Sequence, residues 1–365
     1  MSRLLIAFRV DASQRIGTGH LKRCLTLAAS LQTHLQCRII FICRDYQFQL
    51  TKTLITKSNM ELVLLPALES NRSTSLDAQD TWLGLSRQLD AQQTQSALQT
   101  RPLDWLISDH YGIDCRWQQA MQPFARFQMT IDDLANRQYF CDLLLDQSFG
   151  RQKADYAKLA AQKTQLLLGP GYALLGADFQ KPKPNLLEQR LIQTNPNNIL
   201  VNFGGCANFD LVEATIDALT PIRQQLGRLT FVLGAQVAIN EDLDRKLQQF
   251  QAITLGFVDN MAELLQQHDI AIGAAGGTSW ERCAMAVPSL CVAIADNQQF
   301  LIKNLVKTGA IQQLANPITP ADLTTKLFYW LHNLQQYQQA VRVCQTLCDG
   351  QGADKVVSAI RAHHE

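Results

Sequence analysis

A histidine follows two glycines near the amino terminus, in the segment GTGHLKR at residues 17 to 23. Gly17 and Gly19 allow a tight turn and leave room for a ligand near the backbone. A helix that begins near His20 would direct unpaired N–H groups outward, and the positive end of its dipole opposes protonation of the ring. We therefore predict a neutral imidazole that accepts a proton. The alternative is a structural cap or a surface histidine.

A second glycine-rich segment, GAAGGTS at residues 273 to 279, follows an apolar run. Such a loop can place backbone N–H groups around a phosphate, and the helix that begins near Ser279 adds about half a positive charge. Glu281 would lie in the first turn, where a carboxylate is favoured. A plain helix cap needs fewer glycines, so we predict an anion site at residues 276 to 279.

Two further loops follow predicted strands. Gly204 and Gly205 belong to VNFGGCANFDL, which forms either a ligand loop or a hinge-side turn. Asp109, His110 and Tyr111 belong to SDHYGID, at the end of a strand where ligands of α/β sheets bind. All three polar side chains are therefore well placed to line a cleft.

Metal and cofactor sites are not predicted. The dinucleotide fingerprint GxGxxG fails because Lys22 stands where the third glycine belongs. Asp132 and Asp133 are adjacent in a predicted strand, so their carboxylates point to opposite faces and do not share an ion. The ten cysteines have no zinc-like spacing, which favours buried reduced thiols.

Composition indicates two globular domains. The chain has 365 residues, 47% of them apolar and 18% charged, enough to bury substantial cores. Lys and Arg number 33 and Asp and Glu 32, so no overall field attracts nucleic acid or anionic lipid. The first apolar run is too short for a signal peptide, and no run reaches membrane-spanning length. We expect a cytoplasmic protein without membrane insertion, and oligomeric state is left open.

Short apolar runs alternate with helical stretches, which is typical of parallel sheets covered by helices. We predict strands at 4–10, 37–43, 61–66, 104–109, 127–133, 141–147, 165–169, 198–204, 228–234, 252–257, 270–274 and 289–295. Helices are predicted at 21–35, at the Gln-rich span 77–99 and from about 320 onward. The predicted domains are 1–180, a linker at 181–198, a second domain at 199–345, and a C-terminal helix at 346–365 that returns to the first domain.

Several segments together resemble the PseG family, the nucleotide-sugar hydrolases of pseudaminic acid biosynthesis. They are RVDASQRIGTGHLKRCLTLA, SDHYGID, IDD, GPGYALL, VNFGG and AAGGTSWERCAMAVPSLCVAIADNQ. The resemblance runs from the first strand to about residue 310. It implies the GT-B architecture of MurG-like glycosyltransferases, in which two Rossmann-like domains with parallel sheets face a central cleft. The implied reaction is metal-independent, inverting hydrolysis of UDP-2,4-diacetamido-2,4,6-trideoxy-β-L-altropyranose to UDP and the free sugar.

The resemblance also implies roles for single residues. His20 corresponds to the proposed base, Tyr111 to a sugar contact, and Glu281 to the UDP site, where it suits the ribose hydroxyls. Asp11 and Asp109 are both candidates to orient the imidazole. The predicted substrate-binding residues are Asp11, Gly17, Gly19, Asp109, Tyr111, Gly204, Gly205, Gly276, Gly277, Thr278, Ser279, Glu281, Asn297 and Gln298. GGCAN at 204–208 departs from the GGSD-like sequence expected there, which leaves the role of this loop open.

Three alternatives remain at this point: an inverting GT-B glycosyltransferase, a hydrolysing UDP-sugar 2-epimerase, and a catalytically silent nucleotide-sugar binding protein. The sequence does not identify the substituents of the sugar, since these depend on side chains from several loops.

Overall fold

A computed structural model of the protein describes residues 3–68, 77–99, 101–180, 185–205, 208–234, 240–256 and 258–364. The chain divides into two compact units. The N-terminal unit comprises residues 1–174 together with 352–365, and the C-terminal unit comprises residues 175–351.

The N-terminal unit is a parallel sheet with helices on both faces. Its strands are β1 Leu4–Val10, β2 Cys37–Arg44, β3 Glu61–Leu65, β4 Leu103–Asp109, β5 Ala125–Ile131, β6 Leu143–Asp146 and β7 Gln165–Leu168, in the order β3-β2-β1-β4-β5-β6-β7. Its helices are α1 Gly19–His34, α2 Gln49–Lys57, α3 Ala78–Leu83, α4 Arg87–Leu98, α5 Cys115–Met121, α6 Lys153–Tyr156 and α15 Gly352–Ala362.

Alternate residues of β1 contact different helix layers, as the two-residue period of a strand requires. Ile6 and Phe8 belong to the core that includes the apolar faces of α1 and α15. Ala7 belongs to a second core, shared with α4 and α5. Because β1 is buried on both faces, its first five residues, Leu4 to Phe8, form a continuous apolar run rather than an alternating one.

The C-terminal unit repeats this arrangement. Its strands are β8 Ile199–Asn202, β9 Leu229–Val232, β10 Ile253–Leu255, β11 Ile270–Ala274, β12 Ser289–Val292 and β13 Ile311–Gln313, all parallel, in the order β10-β9-β8-β11-β12-β13. Its helices are α7 Leu186–Ile192, α8 Phe209–Leu219, α9 Glu241–Gln249, α10 Met261–Gln266, α11 Gly277–Ala284, α12 Asn297–Leu305, α13 Pro320–Leu331 and α14 Leu334–Leu347.

Two elements differ from the sequence prediction. The Gln-rich span 77–99 forms two helices because Gly84 has a left-handed φ of 74° and Ser86 caps α4 through a bond from the Leu89 N–H. Strand β13 has no predicted counterpart, since Ile311 is its only apolar residue and no periodic signal results.

The domain boundaries also differ. The segment 181–198, predicted as a linker, includes α7, whose Arg190 is buried and donates to the carbonyls of Leu265, His268 and Met285. These bonds tie α7 into the C-terminal unit. Helix α15 belongs to the N-terminal unit, where Asp354 accepts a hydrogen bond from Ser30 on α1.

The nine cysteines that the structure describes form no disulfide with one another, and all but Cys115 are buried. Cys206 lies outside the described residues. In the described part of the chain, no helix has both the length and the apolar character needed to cross a bilayer.

Close packing between two strands of the C-terminal unit generates a prediction about stability. A Cβ on Gly273 would lie 2.1 Å from the Asn202 carbonyl oxygen of the paired strand β8. We expect Gly273→Ala to destabilise this unit by about 1–3 kcal/mol or more, because backbone must move. Gly176→Ala is the matched control, since open space surrounds that position and its φ is −63°. Equal midpoints of urea unfolding for the two variants would contradict this account.

Candidate active site

The loop between β1 and α1 places His20 in the first turn of α1, at the carboxyl end of β1. Ser13 organises this loop: its carbonyl accepts from the Gly17 N–H at 2.8 Å, and its hydroxyl accepts from the Ile16 N–H at 3.0 Å. Gly17 has a φ of 78°, a conformation that favours glycine. Gly19 is exposed and has open space around it.

Asp109 orients the imidazole of His20. It is the last residue of β4, which pairs with β1, so the sheet itself brings the two side chains together. His20 Nδ1 lies 2.6 Å from Asp109 Oδ1, and the carboxylate is fully buried. An ionised carboxylate only accepts hydrogen bonds, so the ring proton lies on Nδ1. The Nε2 lone pair is then available to take a proton from a water or hydroxyl group.

Arg23 keeps Asp109 ionised. It lies one turn after His20 on α1 and donates to both carboxylate oxygens, with Nε–Oδ2 and Nη2–Oδ1 distances of 2.6 Å. Burial alone would raise the pKa of Asp109, but Arg23 and then His20 outweigh it and hold the pKa well below its usual range. Arg23 Nη2 is also 3.0 Å from His20 Nδ1, where both nitrogens carry hydrogen and neither accepts.

Two aromatic rings continue the site away from His20. Tyr111 meets His20 edge-on at a centroid distance of 4.7 Å, and Trp82 meets Tyr111 at 5.2 Å. The Tyr111 hydroxyl donates to Asp133 at 2.7 Å. Burial, and then Asp133, raise the pKa of Tyr111 well above its usual range, so it remains a phenol. Asp133 also accepts from Arg23 at 3.2 Å and so connects the tyrosine to the ion pair.

Asp11 does not orient His20, which corrects one of the two sequence-based candidates. Its carboxylate is fully buried and accepts from Arg9 Nη1 at 2.5 Å and from the Arg44 N–H at 2.7 Å. Asp90, also buried, accepts from the guanidinium groups of both Arg9 and Arg44. Asp11 therefore stabilises the end of β1 from inside, and a direct substrate contact is inconsistent with its burial.

In the C-terminal unit, the turn after β11 contains the predicted anion site. Helix α11 begins at Gly277, two residues earlier than predicted, with Gly276 as its cap. The first N–H groups of a helix have no intrahelical partner and attract negative charge. Gly277 is exposed and Thr278 is half-buried, so the first turn is accessible. Glu281, also half-buried, lies beyond the first turn because the helix begins at Gly277, which corrects its predicted place there.

Ser279 serves the loop rather than a ligand, which corrects its predicted role. It is buried, its hydroxyl accepts from the Gly276 N–H at 3.3 Å, and Arg282 Nη2 lies 3.1 Å from the same oxygen. Its own N–H donates to the Gly276 carbonyl at 2.9 Å. Both polar groups of Ser279 are thus used within the turn.

Two more predicted loops flank this turn, because β8 and β12 are the neighbours of β11. Asn297 and Gln298 begin α12 after β12, and a Cβ on Gly276 would lie 3.8 Å from Gln298 Nε2. Gly204 follows β8 with a φ of 113°, and Gly205 is exposed. In the GGCAN loop, residues 206 and 207 lie outside the described part of the chain.

Sequence reasoning missed Arg23, Asp133 and Trp82. Of these three, only Arg23 could have been predicted from the sequence. It lies three residues after His20, and residues three apart on a helix share a face. Among the described residues, no group of three or more His, Cys, Asp or Glu side chains is arranged to hold a metal ion.

Known proteins share sequence with the C-terminal unit and share the fold of the whole chain. Residues 199–343 match the glycosyltransferase family 28 C-terminal domain. The match covers β8 to β13, including the turn before α11. MurG of Acinetobacter baumannii superposes with a TM-score of 0.68 at 16% identity, over 98% of this chain and 99% of that one. The predicted α/β fold class, two parallel-sheet domains of GT-B type, is confirmed.

Three relatives in sequence are distant. An uncharacterised protein of Methanocaldococcus jannaschii is 23% identical over 78% of this chain, which spans only 54% of that relative's length. The Bacillus subtilis spore coat polysaccharide biosynthesis protein SpsG is 21% identical over 97% of both chains. The UDP-2,4-diacetamido-2,4,6-trideoxy-beta-L-altropyranose hydrolase of Campylobacter jejuni is 21% identical over 83% of this chain and 97% of the relative.

The buried ion pair generates a prediction about acid stability. The folded pKa of Asp109 is lower than the ordinary value near 3.9, so its stabilisation is complete above about pH 4 and is lost as the pH falls further. Asp109→Asn removes this proton uptake. We expect the free energy of unfolding of the variant to fall less steeply below pH 4, by up to about 1.4 kcal/mol per pH unit, the value for one proton.

The control is Asp155→Asn, which changes an exposed carboxylate of the same unit. Urea unfolding between pH 6 and pH 2.5 measures the slopes. A slope for Asp109→Asn equal to that of the wild type would contradict the assignment.

Proposed function

We propose that this chain hydrolyses a nucleotide sugar, UDP-2,4-diacetamido-2,4,6-trideoxy-β-L-altropyranose, with His20 as the general base. The observation that carries the proposal is the 2.6 Å contact of His20 Nδ1 with buried Asp109, which leaves Nε2 as the proton acceptor. The similarity to the Campylobacter jejuni hydrolase across 83% of the chain supports this choice of reaction and substrate.

In the proposed step, His20 Nε2 takes a proton from water as the water oxygen attacks the anomeric carbon. The bond from that carbon to the diphosphate oxygen breaks, and its electron pair leaves with UDP. Attack from the side opposite UDP inverts the anomeric configuration. Asp109 stabilises the imidazolium that forms, while Arg23 prevents the proton from passing to the carboxylate.

We assign binding of UDP to the C-terminal unit. The N–H groups of the first turn of α11, at Gly277 and Thr278, would receive the charge that grows on the diphosphate. This reception of charge makes a divalent ion unnecessary in the proposed mechanism. The Glu281 carboxylate would accept from both ribose hydroxyls. Gly204, Gly205, Asn297 and Gln298, on the two flanking loops, remain predicted contacts.

An inverting glycosyltransferase is the second candidate, and the match of residues 199–343 to a glycosyltransferase domain favours it. The same base would then deprotonate an acceptor hydroxyl instead of water. Release of free sugar without an added acceptor distinguishes hydrolysis from transfer. Deuterium at C2 of the product would instead indicate a hydrolysing 2-epimerase, and binding of UDP without turnover would indicate a silent binding protein.

Substitution of the base tests the mechanism. We expect His20→Ala to lower the rate of UDP release by about 10²–10⁴, the usual contribution of a general base, with the affinity for UDP unchanged. His34→Ala, at the other end of the same helix, is the matched control with wild-type turnover. Release of UDP from a panel of UDP-sugars is measured with and without chelator, and chelator should have no effect. Unchanged turnover in His20→Ala would refute the assignment of the base.

Substitution of Glu281 on α11 should change the affinity for UDP, whereas His20→Ala changes the rate of UDP release. We expect Glu281→Ala to weaken UDP binding about 10- to 100-fold, because a hydrogen bond to a charged group contributes about 1.5–3 kcal/mol. Calorimetric titration with UDP measures the change, and Glu263→Ala, in the first turn of α10, is the control. Equal UDP affinity for the two variants would contradict the role of Glu281.

A further inference from the structure

A cavity of about 450 Å³ lies in the N-terminal unit, beside the proposed catalytic residues. We call it the aromatic cavity. Its walls come from the loop after β1, the segment after β2 and the region around α3. The lining residues that determine its chemistry are Gln14, Arg15, Tyr46, Gln47, Phe48, Thr81 and Trp82.

The aromatic cavity adjoins the His20 site through Trp82 and the loop after β1. Trp82 lines the cavity and also contacts Tyr111, which in turn contacts His20. Residues 13–16 line the cavity and lead directly into Gly17 and the first turn of α1. The cavity is therefore the space beyond Tyr111 and Trp82 that lies nearest to a ligand bound at His20.

The lining chemistry restricts the ligand. Tyr46, Phe48 and Trp82 supply aromatic surface, and side-chain amides and hydroxyls supply neutral hydrogen-bonding groups. Among the described lining residues none is acidic, and the one cation, Arg15, lies over the Trp82 ring at 5.5 Å. A mainly apolar wall with a few neutral polar groups suits a small uncharged group that has both a methyl and an amide.

We propose that the aromatic cavity is the subsite that selects acylamino substituents on the sugar. The inference rests on the proposed function and adds a specificity determinant to it. The acyl methyl packs against the Trp82 and Phe48 side of the cavity, and the amide bonds to neutral side chains such as Gln14 and Gln47. A sugar with hydroxyl groups in place of the acylamino groups leaves this apolar surface uncovered and binds more weakly.

A substitution that fills the aromatic cavity tests the subsite by kinetics. Thr81→Phe places a ring at its wall, and Thr33→Phe is the matched control. Both threonines are exposed helix residues whose hydroxyls bond the carbonyl four residues earlier. We expect Thr81→Phe to lower kcat/KM for UDP-2,4-diacetamido-2,4,6-trideoxy-β-L-altropyranose at least tenfold, through KM. Inhibition by UDP stays unchanged, and Thr33→Phe behaves as the wild type.

Fluorescence tests the same subsite without turnover. Trp82 is 36% exposed, whereas the other four tryptophans are at most 1% exposed, so iodide should quench mainly Trp82. We expect free 2,4-diacetamido-2,4,6-trideoxy-L-altropyranose to protect Trp82 from iodide. UDP, and 6-deoxy-L-altrose, which lacks the acetamido groups, should not protect it. Trp82→Phe identifies the signal, because the quenchable component disappears.

The outcomes separate the subsite from the reaction. If the wild type releases UDP but Thr81→Phe equals Thr33→Phe and the diacetamido sugar gives no protection, the subsite is refuted and the hydrolase proposal stands. If no UDP is released from this substrate, the reaction is refuted, and protection of Trp82 by the diacetamido sugar still decides the subsite. Equal protection by 6-deoxy-L-altrose would refute selection of acylamino groups.

Discussion

The ion pair between Arg23 and Asp109 is the constraint on which the N-terminal site depends. Asp109 is fully buried and Arg23 is mostly buried, so loss of either one leaves the other as an uncompensated charge largely removed from water. The pair fixes the carboxylate, and the carboxylate fixes the proton of His20 on Nδ1. The protonation pattern of the histidine is therefore set, through Asp109, by an arginine that lies three residues later on the same helix.

A second network of buried charges holds the end of β1, from which the loop to His20 begins. Arg9, at the end of β1, pairs with Asp11 and with Asp90 on α4. Asp90 also pairs with Arg44 at the end of β2. All four side chains are almost fully buried. Two arginines face two carboxylates, so the formal charges balance. Because the network ties β1 to β2 and α4, it fixes where the loop to His20 begins.

Much of the fold could be predicted from the sequence because parallel strands are buried on both faces and appear as apolar runs. The glycine-rich turns could also be predicted, because residue type alone indicates such a turn. The hydrogen-bond partners of individual side chains were harder to predict. Asp109 and Asp11 looked equivalent as partners of His20, and only strand pairing and the competing arginines distinguish them. Trp82 could not be assigned, because it reaches Tyr111 only through tertiary packing. Ser279 has the residue type of a phosphate ligand, but an arginine one turn later draws its hydroxyl inward.

Helix α15 gives the N-terminal unit a discontinuous sequence, since the chain completes that unit only after all of the C-terminal unit has been made. A ribosome adds roughly 5–20 residues per second, so α15 is synthesised about ten seconds or more after α1, whose apolar face it covers. The amino-terminal unit therefore cannot be completed before the C-terminal unit has been synthesised, whereas a continuous amino-terminal domain can mature first.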